Sequence, residues 1–166
     1  IISTAIKKGI ASKQMINEAI DTMTTLNKTA SEIMVEVGVN SCTDITGFGL
    51  LGHLLEMCKG SKVCAEIKFD AIKFINGSVE AAENNIIPGG TKRNLSFIEK
   101  HIKFSDNINR TKQLLLADAQ TSGGLLISVP NSKKEELKTK LLDSNCNVME
   151  IGHMTEINDR KFIEVS

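Results

Sequence analysis

One stretch constrains this chain more than any other: Cys42-Thr43-Asp44-Ile45-Thr46-Gly47-Phe48-Gly49-Leu50-Leu51-Gly52-His53. A β-branched segment runs into two closely spaced glycines and then straight into an apolar helical pattern. That order predicts a strand, a tight turn and a buried helix. It also sets the carboxylate of Asp44 beside a turn whose glycines let backbone N–H groups face a ligand, an arrangement suited to an anion and its metal ion. A second junction of related design follows far downstream, Ala117-Asp118-Ala119-Gln120-Thr121-Ser122-Gly123-Gly124-Leu125-Leu126. Together the two point to a nucleotide-handling enzyme, or to part of one.

The rest of the chain reads as helices alternating with strands. Met15, Ile16, Ala19, Ile20, Met23 and Leu26 form a helical stripe over 12–26, and a second helix covers 28–37 with Gly38 as its stop. Residues 39–45 read as a short strand and 47–59 as a helix apolar on most sides. Val63, Ala65, Ile67 and Phe69 alternate with Cys64, Glu66 and Lys68 as a half-exposed strand does. A weaker helix spans 75–84. Between Ile86 and Asp106 the periodicity is lost, and Pro88-Gly89-Gly90 with Asn94 predicts a long, functional loop. Helix 107–117 then leads into the second glycine pair, and the largely apolar run Leu125–Val129 suits a central strand. Ser132 and Glu135 have the spacing of a capping box for a helix over 132–143. Val148–Ile151 and Phe162–Val165 read as closing strands joined through Asn158-Asp159. The expected architecture is α/β (α+β), helices packed on a mixed sheet, with a helical lead-in at 1–38 and the sheet domain at 39–166.

Composition narrows the partners. Twenty basic residues balance twenty acidic ones, so no basic field exists to concentrate nucleic acid or anionic lipid. With no Trp, no Tyr and six Phe, a stacking platform for bases is also not expected. Cys42, Cys58, Cys64 and Cys146 show neither a Cys-x-x-Cys pair nor a Cys/His cluster, which reads as reduced thiols in a cytoplasmic protein rather than zinc ligands. No apolar run reaches the length of a membrane span. The chain opens at Ile1 without an initiator Met, as a piece of something longer would.

The residues themselves leave several roles open. Asp44 suits a helix N-terminal charge as well as a metal ligand. Thr46, Gly47 and Gly49 fit a phosphate contact or close packing of the helix on the sheet. His53 reads as a packed histidine rather than a catalytic base, and His101 and His153 have no partner pattern. Asp118, Gln120, Thr121 and Ser122 either line a cleft or hydrogen-bond one another to shape the turn. Gly90, Thr91 and Asn94 either close over a substrate or belong to a surface loop.

Asp44 to His53 resembles the Asp-(Val/Ile)-Thr-Gly-Phe-Gly-Leu-Leu-Gly-His segment of the selenophosphate synthetase family. Ala117 to Leu126 resembles its Ala-Asp-Ala-Gln-Thr-Ser-Gly-Gly-Leu-Leu segment, and Pro88-Gly89-Gly90-Thr91-Lys92-Arg93-Asn94 its Pro-Gly-Gly-Thr-x-x-Asn loop. The likeness runs in order along nearly the whole chain. It implies the C-terminal-domain fold of the aminoimidazole ribonucleotide synthetase superfamily, within an enzyme that converts ATP, selenide and water into selenophosphate, AMP and orthophosphate. It further implies Mg²⁺, with Asp44 as the metal-binding carboxylate of this domain. The catalytic Cys or selenocysteine and further aspartates are expected in an N-terminal domain that this sequence does not contain, so no catalytic residue is assigned here. That domain is then a partner across an ATP-binding cleft, and the full-length enzyme is expected to be a homodimer. A non-catalytic binding module, or another ATP-dependent enzyme of the same superfamily, is the competing expectation.

Overall fold

The computed structural model describes residues 1–157 and 161–166; the expected Asn158-Asp159 connection lies outside them. Three helices open the chain: α1 (Ile2–Lys7), α2 (Lys13–Thr24) and α3 (Lys28–Val37). Ser12 caps α2 by accepting from the Met15 N–H at 3.2 Å. The apolar stripe of α2 is only partly covered: Ala19 is buried, but Ile20 is 47 % and Leu26 79 % exposed.

The strands form two sheets where one was expected. β1 (Ser41–Asp44) pairs antiparallel with β4 (Leu125–Ser128) as a two-stranded ribbon, in the register Ser41 opposite Ser128 and Asp44 opposite Leu125. A separate four-stranded mixed sheet has the order β3 (Ile102–Phe104), β6 (Ile163–Val165), β2 (Val63–Ile67), β5 (Gly152–Glu156). β2 runs antiparallel to β5 and parallel to β6, and β6 runs parallel to β3. The run Leu125–Val129 is therefore not a central strand. Its apolar side chains Ile127 and Val129 are instead covered by Ile33 and Val37 of α3 and by Leu137 and Leu141 of α8 (Lys134–Asp143).

The main core lies on the four-stranded sheet. Leu51, Leu54, Leu55 and Cys58 of α4 (Gly49–Ser61) pack with Leu95 and Ile98 of α6 (Gly89–Ile98) against Ala65, Ile67, Ile163 and Val165. Burying each such aliphatic side chain is worth about 1.5–3 kcal/mol. The helix expected at 47–59 is thus present and deeply buried, although Phe48 at its mouth is 55 % exposed. Burial, with the Cys64 thiol nearby, pushes the Cys58 thiol up to about 11. Alkylation of the native protein at neutral pH is therefore expected to reach the half-buried Cys146 and to spare Cys58, as peptide mass spectrometry would show; modification of Cys58 first would contradict this burial.

The stretch 86–106 is not a long loop. Pro88 caps α6, the two glycines occupy its first turn, and Thr91, Leu95 and Ile98 supply a buried stripe at helical spacing. The helix expected at 75–84 shortens to α5 (Ser78–Glu83), and that at 107–117 to α7 (Arg110–Leu116), capped by Asn109 through the Lys112 N–H. No capping box forms at Ser132: a 3₁₀ turn over Asn131–Lys133 intervenes, and α8 starts without a side-chain cap. Lys133 instead donates to the carbonyl of Val37 at 2.7 Å, tying α8 to the end of α3. The strand expected at Val148–Ile151 begins only at Gly152, because Val148 is drawn into the core between α3 and α8. Among the described residues no helix is long and apolar enough to cross a membrane.

Candidate functional site

The ribbon brings the two glycine junctions together and zips them by backbone bonds. The Ile45 N–H donates to the Gly124 carbonyl, the Gly123 N–H to that of Ile45, and the Gln120 N–H to that of Thr46, each at 3.0 Å. Thr46 O also accepts from the Gly49 N–H at 3.0 Å, closing the turn into α4. Gly49 sits at φ +68°, and a Cβ there would lie 2.7 Å from the carbonyl oxygen of Asp118. A Cβ on Gly123 would lie 2.5 Å from that of Ile45. Close approach of two backbones is what Gly49 and Gly123 visibly serve.

Polar side chains brace this double turn. Asn94, from α6, donates through Nδ2 to the carbonyls of Gly47 at 2.8 Å and Ala117 at 3.1 Å, one from each junction. Asp118 is committed to this bracing: its Oδ1 accepts from the Thr91 hydroxyl. Thr91 is fully buried, so of the Gly90, Thr91 and Asn94 group only Gly90 and the exposed edge of Asn94 face outward. Gln120 folds back on the Asp118 carbonyl at 3.1 Å. Thr121 is exposed and Ser122 partly so. Thr91→Val keeps the shape but strands one Asp118 oxygen in a half-buried position, and should lower stability by about 1–3 kcal/mol, read from the midpoint of urea unfolding.

Asp44 stands apart from this bracing. It ends β1, its side chain is exposed, and among the described residues that side chain makes neither a hydrogen bond nor an ion pair. Its charge is felt locally: burial first, and the Asp44 carboxylate second, push the Cys42 thiol up. Gly47 and Phe48 lie exposed beside it in sequence, and Thr46 is half-buried. Among the described residues no three His, Cys, Asp or Glu side chains converge in a way that would enclose a metal ion. Among the described residues the joined junctions thus leave one carboxylate unbonded, Asp44, which fits a single arm of a hard-cation site and not a complete one.

One feature of the site was not legible in the sequence. Asn27, at the head of α3, caps nothing locally and instead donates to the Gly123 carbonyl at 3.1 Å. His53, read as a packed histidine, is indeed buried, with Nε2 3.1 Å from the Thr46 hydroxyl. The His53–Glu56 spacing on one helix face was its local signal. The other histidines lie elsewhere: burial, then Lys59, Lys100 and Lys161, hold His101 below its ordinary range, and His153 lies 3.6 Å from Glu66.

The family model described as "AIR synthase related protein, C-terminal domain" matches residues 2–163. The chain belongs to this family. The observed helices packed on a mixed sheet accord with that family's C-terminal domain. The chain is 44 % identical over 155 residues to a protein of Carboxydothermus hydrogenoformans named selenide, water dikinase, covering 93 % of this chain and 45 % of that one. A protein of the same name from Myxococcus xanthus is 47 % identical over 132 residues, covering 78 % and 38 %. One from Clostridium botulinum is 36 % identical over 163 residues, covering 98 % and 47 %. The chain thus spans less than half the length of each of these curated relatives.

Proposed function

We propose that this domain is the C-terminal part of a selenide, water dikinase, a cytoplasmic, homodimeric enzyme that makes selenophosphate, AMP and orthophosphate from ATP, selenide and water. In this reading the domain forms one wall of the ATP site and is inactive alone. The observation that carries it is the pairing of two junctions into one braced platform that leaves a single carboxylate, Asp44, uncommitted at its edge. Relatives 44 % and 47 % identical to the chain bear that enzyme's name.

The division of labour follows from the bonds. Asp118, Thr91, Asn94 and Gln120 hold backbone and one another, so their task is to fix the shape of the platform. Asp44, the half-buried Thr46 and the exposed Gly47 are left to face a ligand, with Gly90, Thr121 and Ser122 as the outer lining. Asp44 would hold Mg²⁺ together with carboxylates from the other half of the protein, and that ion would offset the negative charge of the polyphosphate. A lone solvated carboxylate binds such an ion weakly, which is why the domain needs its partner half.

The reading is tested in the full-length protein that carries this domain. Incubated anaerobically with ATP, Mg²⁺ and selenide, it should give a selenophosphate signal by phosphorus NMR with matching AMP and orthophosphate. Release of ADP without selenophosphate, or turnover with a different acceptor alone, would place the protein elsewhere in the superfamily.

A further inference from the structure

His53 is a buried polar group that the platform does not need for its backbone bonds. Its ring is 8 % exposed and lies 5.7 Å, centroid to centroid, from the ring of Phe48. Nε2 is 3.1 Å from the Thr46 hydroxyl oxygen. Nδ1 is 3.2 Å from Oε2 of Glu56, one helical turn on, but off the line that a formal hydrogen bond requires.

A neutral imidazole has one donor nitrogen and one acceptor nitrogen. Glu56 offers only lone pairs, so a bare Nδ1 would set lone pair against carboxylate at 3.2 Å. The proton therefore belongs on Nδ1, and Nε2 becomes the acceptor. Thr46 has a single hydroxyl proton, and with Nε2 as its neighbour that proton is used inward. What the hydroxyl then offers to the site is lone pairs alone. Such a group accepts from water held on a cation, and it has nothing to donate to a phosphate oxygen.

We propose that His53 is a positioning residue that fixes Thr46 Oγ1 as an acceptor, so that Asp44 and Thr46 together seat a hydrated divalent cation and not a phosphate oxygen. This rests on the reading of Asp44 as a cation ligand. Isotopically labelled histidine in the full-length protein, observed by long-range proton–nitrogen correlation at mildly alkaline pH without metal, reports the tautomer directly. The His53 signal is identified by its loss in His53→Gln. A proton on Nδ1 with a bare Nε2 supports the proposal, and a proton on Nε2 overturns it.

Titration with Mn²⁺ alone, followed by electron paramagnetic resonance, tests the consequence. Thr46→Val should weaken Mn²⁺ binding about tenfold, the usual cost of removing a group that holds a ligand's surroundings. Unchanged binding by Thr46→Val overturns the acceptor role. Unchanged binding by Asp44→Asn overturns the cation-ligand reading itself, whatever tautomer His53 shows, so the two failures are distinguishable.

Discussion

Asp44→Asn in the full-length protein should lower selenophosphate formation by about a hundredfold to a thousandfold, the range found when one preorganised electrostatic contact to a transition state is removed. The substitution keeps size and polarity and removes only the charge. It should leave the fold alone: the side chain is exposed and bonded to no described residue, and surface changes of that kind stay within about 0.5 kcal/mol. Coincident urea transitions for the two proteins, beside the loss of phosphorus NMR product signal, would place the defect in the chemistry. A variant with normal turnover would remove Asp44 from the site and leave the platform without a metal-binding arm. Raising Mg²⁺ should recover part of the lost rate if the defect is in metal affinity, and the recovery should be absent for variants that merely loosen the platform.

Gly49→Ala should be strongly destabilising. It adds a Cβ at φ +68°, a conformation that costs an L-residue about 1–2 kcal/mol. The new atom would also meet the Asp118 carbonyl oxygen at 2.7 Å and the Ala117 carbonyl carbon at 2.8 Å, both backbone and both held by further bonds. Overpacking of this kind adds a further 1–3 kcal/mol or so, for a total of about 2–5 kcal/mol by urea unfolding. Gly47→Ala is the control, since a Cβ there meets nothing within 4 Å. It should be nearly silent in stability, so any activity it loses reports ligand approach. Equal destabilisation by the two would mean that the junctions are not in contact as described.

These contrasts show which parts of the molecule local sequence could reveal. The helix after Gly49 was readable because Leu51, Leu54, Leu55 and Cys58 repeat at helical spacing on a nearly all-apolar segment. The helix over Gly89–Ile98 was not, because Gly89, Gly90 and Asn94 are loop-forming residues by local preference. Its stability comes from Thr91, Leu95 and Ile98 docking into a core built by distant segments. The separation into a ribbon and a four-stranded sheet was equally hidden, since nothing within Leu125–Val129 says which strand will pair with it. Within the site, Asp44 and the glycines were visible as a motif, and bracing of the turn by Asp118 and Gln120 was one of the alternatives left open. The Asn27 and Asn94 bonds were beyond reach, because each joins a side chain to a carbonyl remote in the chain.

The ribbon of β1 and β4 has only two strands, covered by α3 and α8 through a small core of its own, apart from the larger one on the four-stranded sheet. Two-stranded pairings are marginal without such cover. The ribbon is thus positioned to open as a sub-global unit at lower free energy than the rest of the domain. Amide protons of Asn40 and Ile45, which bond to Ser128 and Gly124, would then exchange before those of Ala65 and Ser166. The platform of joined junctions would exist only while that clasp is shut, and any ligand seated on it would hold it so by mass action.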